Sequence, residues 1–291
     1  MPELPEVESL ARFLTEKTVG KGIERVELAA ISALKTYDPP LDALRGATIT
    51  SVSRRGKYLC IATAAGDHDP LSLVIHLARG GWVQWRETLA PGRAKPGRGP
   101  MALRVGLAGG SGFDVTEMGT EKRLAIWVVH APEQVEGVAR LGPDPLDPAF
   151  DRAALAGVLA GHSGHLKGVL TDQSVIAGVG NAYSDEALHA ARLSPYKPAA
   201  KLSDEELDRL YKALLTVLTD AVRRSAGLPA AGLKAEKKSG LQVHGRAGQA
   251  CPVCGDIVRE VSFATKAFQY CPTCQTGGKP LADRRLSRLL K

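Results

Sequence analysis

Four of the five cysteines lie in two tight pairs near the C-terminal end, Cys251-Pro-Val-Cys254 and Cys271-Pro-Thr-Cys274, with sixteen residues between the pairs. Each C-x2-C step turns two sulfurs toward one point. Two such steps supply a closed, four-thiolate shell of the kind that holds a structural zinc. A full shell leaves no position for water or substrate, so this metal serves folding and not chemistry. It clips a hairpin, 255–270, too short to bury a core of its own. Two disulfides would fit the same count but are disfavoured in a reducing compartment, and a redox C-x2-C would come singly in a βαβ setting. The fifth cysteine, Cys60, stands in the apolar run Tyr58-Leu59-Cys60-Ile61-Ala62 and reads as a buried strand residue.

The rest of the 291 residues divides into a β-rich and a helical part. Apolar positions Val7, Leu10 and Leu14 predict a helix over 5–19, stopped at Gly20. Short apolar runs then alternate with Gly, Pro and Asp: Ile23–Leu28, Thr48–Val52, Tyr58–Thr63, Leu71–Ile75, Trp82–Trp85, Leu103–Leu107 and Leu124–Val129. That spacing predicts a β-sandwich or barrel, and 88–100, with three prolines and three glycines, a loop. The stretch 141–149 holds three more prolines and marks a linker. Helices are predicted over 149–160, 182–192 and 203–225, the last with a Ser203/Glu206 capping box, and 226–240 is predicted to be loop. The expected class is α+β multidomain: an N-terminal β-sandwich with its leading helix (1–133), a linker (134–148), a helical domain (149–238), and a zinc-finger hairpin with a basic tail (239–291).

Formal net charge is +7, which points to an anionic partner, nucleic acid foremost. The tail concentrates it, setting Lys279, Arg284, Arg285, Arg288 and Lys291 against a single Asp283. No apolar run is long enough to span a bilayer, and Met-Pro-Glu-Leu-Pro-Glu lacks the form of a signal peptide. The expected location is the cytoplasm, at the nucleoid in a bacterium, with no membrane partner. The opening residues carry a second reading. Removal of Met1 would leave Pro2 as a secondary amine whose pKa, near 8 for an α-amino group, keeps a useful fraction nucleophilic. Glu3 and Glu6 stand beside it as proton carriers. Taken alone, the same residues read better as a helix entrance, with Pro5 in the first turn and acids at the positive helix end.

Resemblance decides between them. Met1-Pro2-Glu3-Leu4-Pro5-Glu6-Val7-Glu8 is similar to the opening of the formamidopyrimidine-DNA glycosylase/endonuclease VIII family. Arg54-Arg55-Gly56-Lys57-Tyr58 resembles that family's strand bearing a lysine near the nucleophile. Asp172-Gln173 and Ile176-Ala177-Gly178-Val179-Gly180-Asn181-Ala182-Tyr183 resemble the turn of its helix-two-turn-helix element, and the four cysteines its zinc finger. The resemblance implies a bifunctional DNA glycosylase/AP lyase: a two-layer β-sandwich with a leading helix, a helix-two-turn-helix domain and a zinc finger, with damaged DNA in the cleft between. Pro2 would attack C1′ and form a Schiff base, Glu3 would handle protons at the sugar, and Lys57 would contact phosphate near the lesion. The Asn181 amide would donate to a phosphate, where Gly178 and Gly180 let the backbone come close. The enzyme is expected to be a monomer holding one zinc.

Three departures bear on the substrate. Where the formamidopyrimidine branch has His-Leu-x-Met-x-Gly, its methionine filling the gap left by the flipped base, this chain reads His76-Leu77-Ala78-Arg79-Gly80-Gly81, so Arg79 or Met118 would fill that gap. The finger arginine five residues before the third cysteine is Lys266, which keeps charge but loses the bidentate fork. The loop before Gly240 is short. The short loop resembles the endonuclease VIII branch, whereas the opening Glu-Leu-Pro-Glu points to the formamidopyrimidine branch; the reading favours oxidised pyrimidines and formamidopyrimidines in double-stranded DNA, with single strands also admitted. Against it stand three others: an 8-oxoguanine-type glycosylase, a catalytically silent damaged-DNA-binding protein on the same scaffold, and a zinc-ribbon nucleic-acid binder with an unrelated N-terminal domain.

Overall fold

The computed structural model describes residues 1–282 except 67, 93, 95, 96, 98, 264 and 265. The chain forms two compact units, Met1–Leu141 with Ser225–Lys234, and Gly142–Arg224 with Ala235–Lys291. The units divide at 141/142, and 225–234 returns to the first.

The first unit opens on α1 (Leu4–Thr18), then β1 (Ile23–Leu28), β2 (Thr48–Arg55), β3 (Tyr58–Ala65), β4 (His68–His76), β5 (Gly81–Arg86), β6 (Met101–Leu107), β7 (Gly112–Glu117), β8 (Ala125–Val129) and a single turn, α2 (Glu136–Ala139). Two four-stranded antiparallel sheets, ordered β1-β6-β7-β5 and β2-β3-β4-β8, make the sandwich. Their inner faces and the apolar stripe of α1 share one core: Val7, Leu10 and Leu14 join Val26, Leu103, Val105 and Phe113 of one sheet and Ile49, Leu59, Leu73 and Ile126 of the other. Every predicted strand is present.

The strand that the sequence reading missed is β7. Asp114 breaks its apolar run, yet is fully buried, because Arg104 grips both its oxygens (2.7 and 3.1 Å) and Arg86 adds a third bond at 3.2 Å. Cys60 is buried in β3 as expected, and burial pushes its thiol up to about 12, which leaves it unreactive.

The second unit holds α3 (Arg152–Ala160), α4 (Leu166–Thr171), α5 (Asn181–Ala190) and α6 (Asp204–Ser225). Then come α7 (Leu233–Gly240), β9 (Arg259–Phe263), β10 (Lys266–Tyr270) and α8 (Pro272–Thr276). Asp151 caps α3 by accepting from Ala154 N at 2.7 Å, and the Ser203/Glu206 capping box forms as expected. The segment 226–240, expected as loop, is loop over 226–232 and helical from Leu233. It contains α7, and Ala230 and Leu233 enter the core of the first unit, with Trp82 Nε1 donating to Ala230 O at 2.9 Å. Its alanines and lysines are good helix formers, and two apolar side chains anchor it. Among the described residues, no helix is long and apolar enough to cross a membrane.

Candidate functional site

In the first unit the candidate chemistry gathers at the start of α1. Met1 is 47% exposed, whereas Pro2 and Glu3 are buried. Glu3 is the N-cap, and its N–H donates to Glu6 Oε2 at 2.8 Å, the Glu6 half of a capping box. Pro5 lies in the first turn, where no backbone donor is lost.

Lys57 lies at the tip of the β2–β3 hairpin and not within a strand, as the resemblance had it. Arg55 pairs with Tyr58, so Gly56-Lys57 is a two-residue turn, with Gly56 at φ +54°. Arg54, which the sequence reading passed over, fastens this tip. Its guanidinium bonds to Glu8 of α1 at 3.1 Å and to Gly56 O at 3.3 Å, which ties the turn bearing Lys57 to the early turns of the helix. Lys57 is itself buried. Beside it, His76 packs against Tyr58 (centroids 4.8 Å, ring planes tilted by 41°), and burial, aided by the Lys57 charge, pushes its imidazole down to about 4, so it is neutral at pH 7.

Arg79 occupies a different corner, the β4–β5 turn. It is exposed and lines a shallow cavity with Met118, Glu121 and Arg123. Gly80 is what allows this: Met118 N donates to Gly80 O at 3.0 Å, and a Cβ on Gly80 would stand 2.0 Å from Met118 O. The two candidate gap-fillers are therefore neighbours.

In the second unit, α5 is the spine. The turn before it is stapled by Gln173, whose amide donates to Thr171 O (3.0 Å) and Val179 O (2.7 Å) and accepts from Gly178 N (3.0 Å). Gly178 has φ +84°, a conformation that favours glycine, and Gly180 is the N-cap of α5. Asn181, the first residue of the helix, donates its Nδ2 to Ala267 O of β10 at 2.6 Å, joining the turn to the finger. Four residues on, fully buried Asp185 takes Lys167 Nζ at 2.5 Å, His244 Nδ1 at 2.7 Å and Gln269 N at 3.1 Å. Glu186 accepts three successive backbone N–H groups, from Gln242, Val243 and His244, at 2.8–3.0 Å; burial, the larger influence, still raises its pKa. Lys167, Asp185, Glu186 and His244 were not singled out from the sequence. The available signal was an acidic pair, Asp185-Glu186, in the middle of a helix that is buried almost throughout.

The four cysteines converge. Cys251 Sγ is 3.9 Å from Cys274 Sγ, and Cys254 Sγ is 3.4 Å from Cys271 Sγ. Two thiolates on one tetrahedral zinc stand about 3.8 Å apart, so the donor set fits one structural ion. His189 of α5 reaches the same cluster. Of the remaining sequence candidates, Lys266 opens β10. Its side chain lies outside the described residues, as do Asp283, Arg284, Arg285, Arg288 and Lys291.

Comparison with known proteins agrees with this layout. Residues 1–116 match the formamidopyrimidine-DNA glycosylase N-terminal domain, 141–230 the formamidopyrimidine-DNA glycosylase H2TH domain, and 248–277 the zinc finger found in FPG and IleRS. The chain is 38% identical to the formamidopyrimidine-DNA glycosylase of Moorella thermoacetica, over 90% of its own length and 94% of that protein. It is 66% identical over 151 residues to an uncharacterized formamidopyrimidine-DNA glycosylase-like protein of Mycobacterium tuberculosis, covering 52% of this chain and 94% of the relative. The crystal structure of MutM (Fpg) from Thermus thermophilus superposes with a TM-score of 0.78 at 32% identity, covering 96% of this chain and all of that one. Lactococcus lactis Fpg in complex with DNA containing N7-benzyl-Fapy-dG gives 0.82 at 27% identity, over 94% and 100%. The chain belongs to the formamidopyrimidine-DNA glycosylase (Fpg/MutM) family of zinc-finger DNA-repair glycosylases.

Proposed function

We propose that this glycosylase is also an AP lyase that works through its N-terminal proline. Once Met1 is removed, the Pro2 nitrogen bonds to C1′ of the damaged nucleoside as the C1′–N bond to the base breaks, and the base leaves with a proton. Once the amine proton is lost, the nitrogen lone pair expels O4′, which takes up a proton, and the opened sugar is held as a C1′=N+ iminium; loss of a C2′ proton next to it then expels the 3′ phosphate. Glu3 carries protons at the sugar. The damaged nucleotide is extruded from the stack for attack, since C1′ is otherwise shielded. Lys57, Asn181 and Lys266 hold phosphates, with Gly178 and Gly180 letting backbone approach, and Arg79 fills the gap left in the duplex.

The observation that carries this reading is the burial of Pro2 and Glu3 at the positive end of α1 under an exposed Met1. The positive end of the helix disfavours an ammonium at the amine freed by loss of Met1, and Glu3 and Glu6 stand beside it as proton carriers. The test is borohydride trapping on DNA with an abasic site. Mature protein should form a covalent adduct, and protein with an uncleavable extension before Pro2 should form none while still binding DNA. Trapping by the extended protein would refute the assignment, and no trapping by the mature protein would favour a silent damage-binding protein. Glu3→Gln should stop base removal and spare action on a ready-made abasic site.

For substrate, formamidopyrimidines come first, supported by the relatives' names and by the Lactococcus lactis complex with Fapy-dG DNA. Oxidised pyrimidines are included because an arginine, charged and adaptable, replaces the apolar wedge. The same feature favours tolerance of varied opposite bases and of single strands. Single-turnover assays at one fixed salt concentration decide the order, and fastest removal of 8-oxoguanine opposite cytosine would overturn it.

A further inference from the structure

The zinc site has one donor too many. Tetrahedral zinc takes four ligands, and Cys251, Cys254, Cys271 and Cys274 already supply them. Yet His189 Nε2 lies 3.3 Å from Cys251 Sγ. One ring nitrogen of His189 and the sulfurs of Cys251, Cys271 and Cys274 all lie within 4.8 Å of one another. A nitrogen and a sulfur bound to the same zinc stand about 3.5 Å apart, so His189 is at ligand distance. An outer hydrogen-bond donor sits behind the single sulfur it serves. A nitrogen close to three sulfurs faces the space they enclose.

The five donors differ in how they are held. His189 is 5% exposed and rides on α5, the helix whose Asn181 and Asp185, eight and four residues earlier on the same face, bond to Ala267 and Gln269 of β10. Its approach to the metal is fixed by the helix and requires no ordering of a loop. Cys254, by contrast, is exposed, and its C-x2-C turn (Cys251–Cys254) faces solvent at Pro252 and Val253. It is the ligand that solvent or a competing chelator reaches first.

We propose that His189 is a reserve zinc ligand that takes the fourth position when Cys254 leaves it, turning a four-cysteine site into one of three cysteines and a histidine without release of the metal. The exchange carries no electrostatic obstacle, since a neutral imidazole replacing a thiolate lowers the net negative charge of a partly buried site from two to one. Functionally, the finger would keep its fold, and β10 its grip on the Asn181 turn, while one thiolate is absent.

The experiment uses the full-length protein with zinc and then with cobalt(II), which reports its ligands by colour. Cys254→Ser should keep one zinc per chain, and its cobalt bands should move to higher energy than those of the parent, as a nitrogen replacing a sulfur requires. Cys271→Ser, which removes a sulfur of the His189 cluster, should lose the metal. His189→Phe, which fills the buried site, should keep both zinc and the parent cobalt spectrum, whereas Cys254→Ser/His189→Phe should lose the metal. Three results would overturn the proposal. One is zinc loss or failure to fold in Cys254→Ser equal to that in Cys271→Ser. Another is zinc retention in the double variant equal to that in Cys254→Ser. The third is a changed cobalt spectrum in His189→Phe alone, which would make His189 a standing ligand.

Discussion

The sandwich and the finger solve the same problem by opposite means. In the sandwich, two sheets and α1 bury a continuous apolar core. In the finger, two small clusters carry the apolar packing among the described residues: Val243, Cys251, Val258 and Cys271 in one, Val261, Phe268 and Tyr270 in the other. The deficit is made up by metal and by buried polar groups that reach from α5: Asn181 to Ala267, Asp185 to Lys167, His244 and Gln269, and Glu186 to three backbone N–H groups. Apolar cores degrade gradually when trimmed, whereas polar and metal networks fail when one partner is removed. The contrast predicts different mutational behaviour for the two regions.

The largest effect should come from the metal. Cys271→Ser should remove zinc, and because β9 and β10 have little core of their own, the hairpin should lose its protection from amide exchange while the sandwich keeps its own. DNA affinity should fall with it. Equal loss of protection in both units would show that the finger supports the whole protein and would break the comparison.

Next is the buried ion pair. Lys167→Met keeps volume and adds apolar surface, which a core would tolerate. Here it removes the lysine from the buried Asp185 carboxylate, which is left with His244 and the Gln269 N–H, and the expected cost is about 3–5 kcal/mol. Removing both charges, as in Lys167→Met/Asp185→Leu, should not restore stability, since Gln269 N–H and His244 lose their acceptor as well. In the sandwich, Leu103→Ala should cost about 2–5 kcal/mol through lost burial and a cavity. Thermal unfolding of the three variants checks the order, and a neutral Lys167→Met would mean that the charge network is dispensable.

The same division governs what was legible in the sequence. Seven of the eight sandwich strands follow from apolar runs bounded by turn residues, because hydropathy is what builds that core. The eighth, β7, escaped because its central Asp114 is buried by two arginines from neighbouring strands, a compensation invisible along the chain. The cysteine spacing announced the finger. What holds the finger to α5 did not show, since Lys167, Asp185, Glu186 and His244 are brought together only by the fold. Pro2 and Glu3 were found through resemblance, their physical reading alone being a helix cap. The helix α7 was not legible because Leu233 is the one buried residue among its eight, too few to make a period.

The smallest effect, absent at neutral pH, tests whether the sandwich too has a polar weak point. His76 ends β4 opposite Tyr58, next to Lys57, and is neutral in the folded protein because burial, and secondarily the lysine charge, hold its pKa near 4. In the unfolded chain it titrates near 6.5. Above 6.5 the imidazole is neutral in both states and contributes nothing. As pH falls below 6.5 the unfolded chain takes up a proton that the folded chain refuses, so stability is lost progressively down to about 4, by up to roughly 3 kcal/mol. His76→Gln should flatten this part of the curve relative to the parent, a difference that cancels the carboxylates common to both. Lys57→Met should recover the smaller part of the loss, burial being the larger cause. Following the His76 ring protons by NMR measures the shift directly. Titration near 6.5 would mean that the hairpin tip is open to water, and the sandwich would then be as apolar in its defects as in its core.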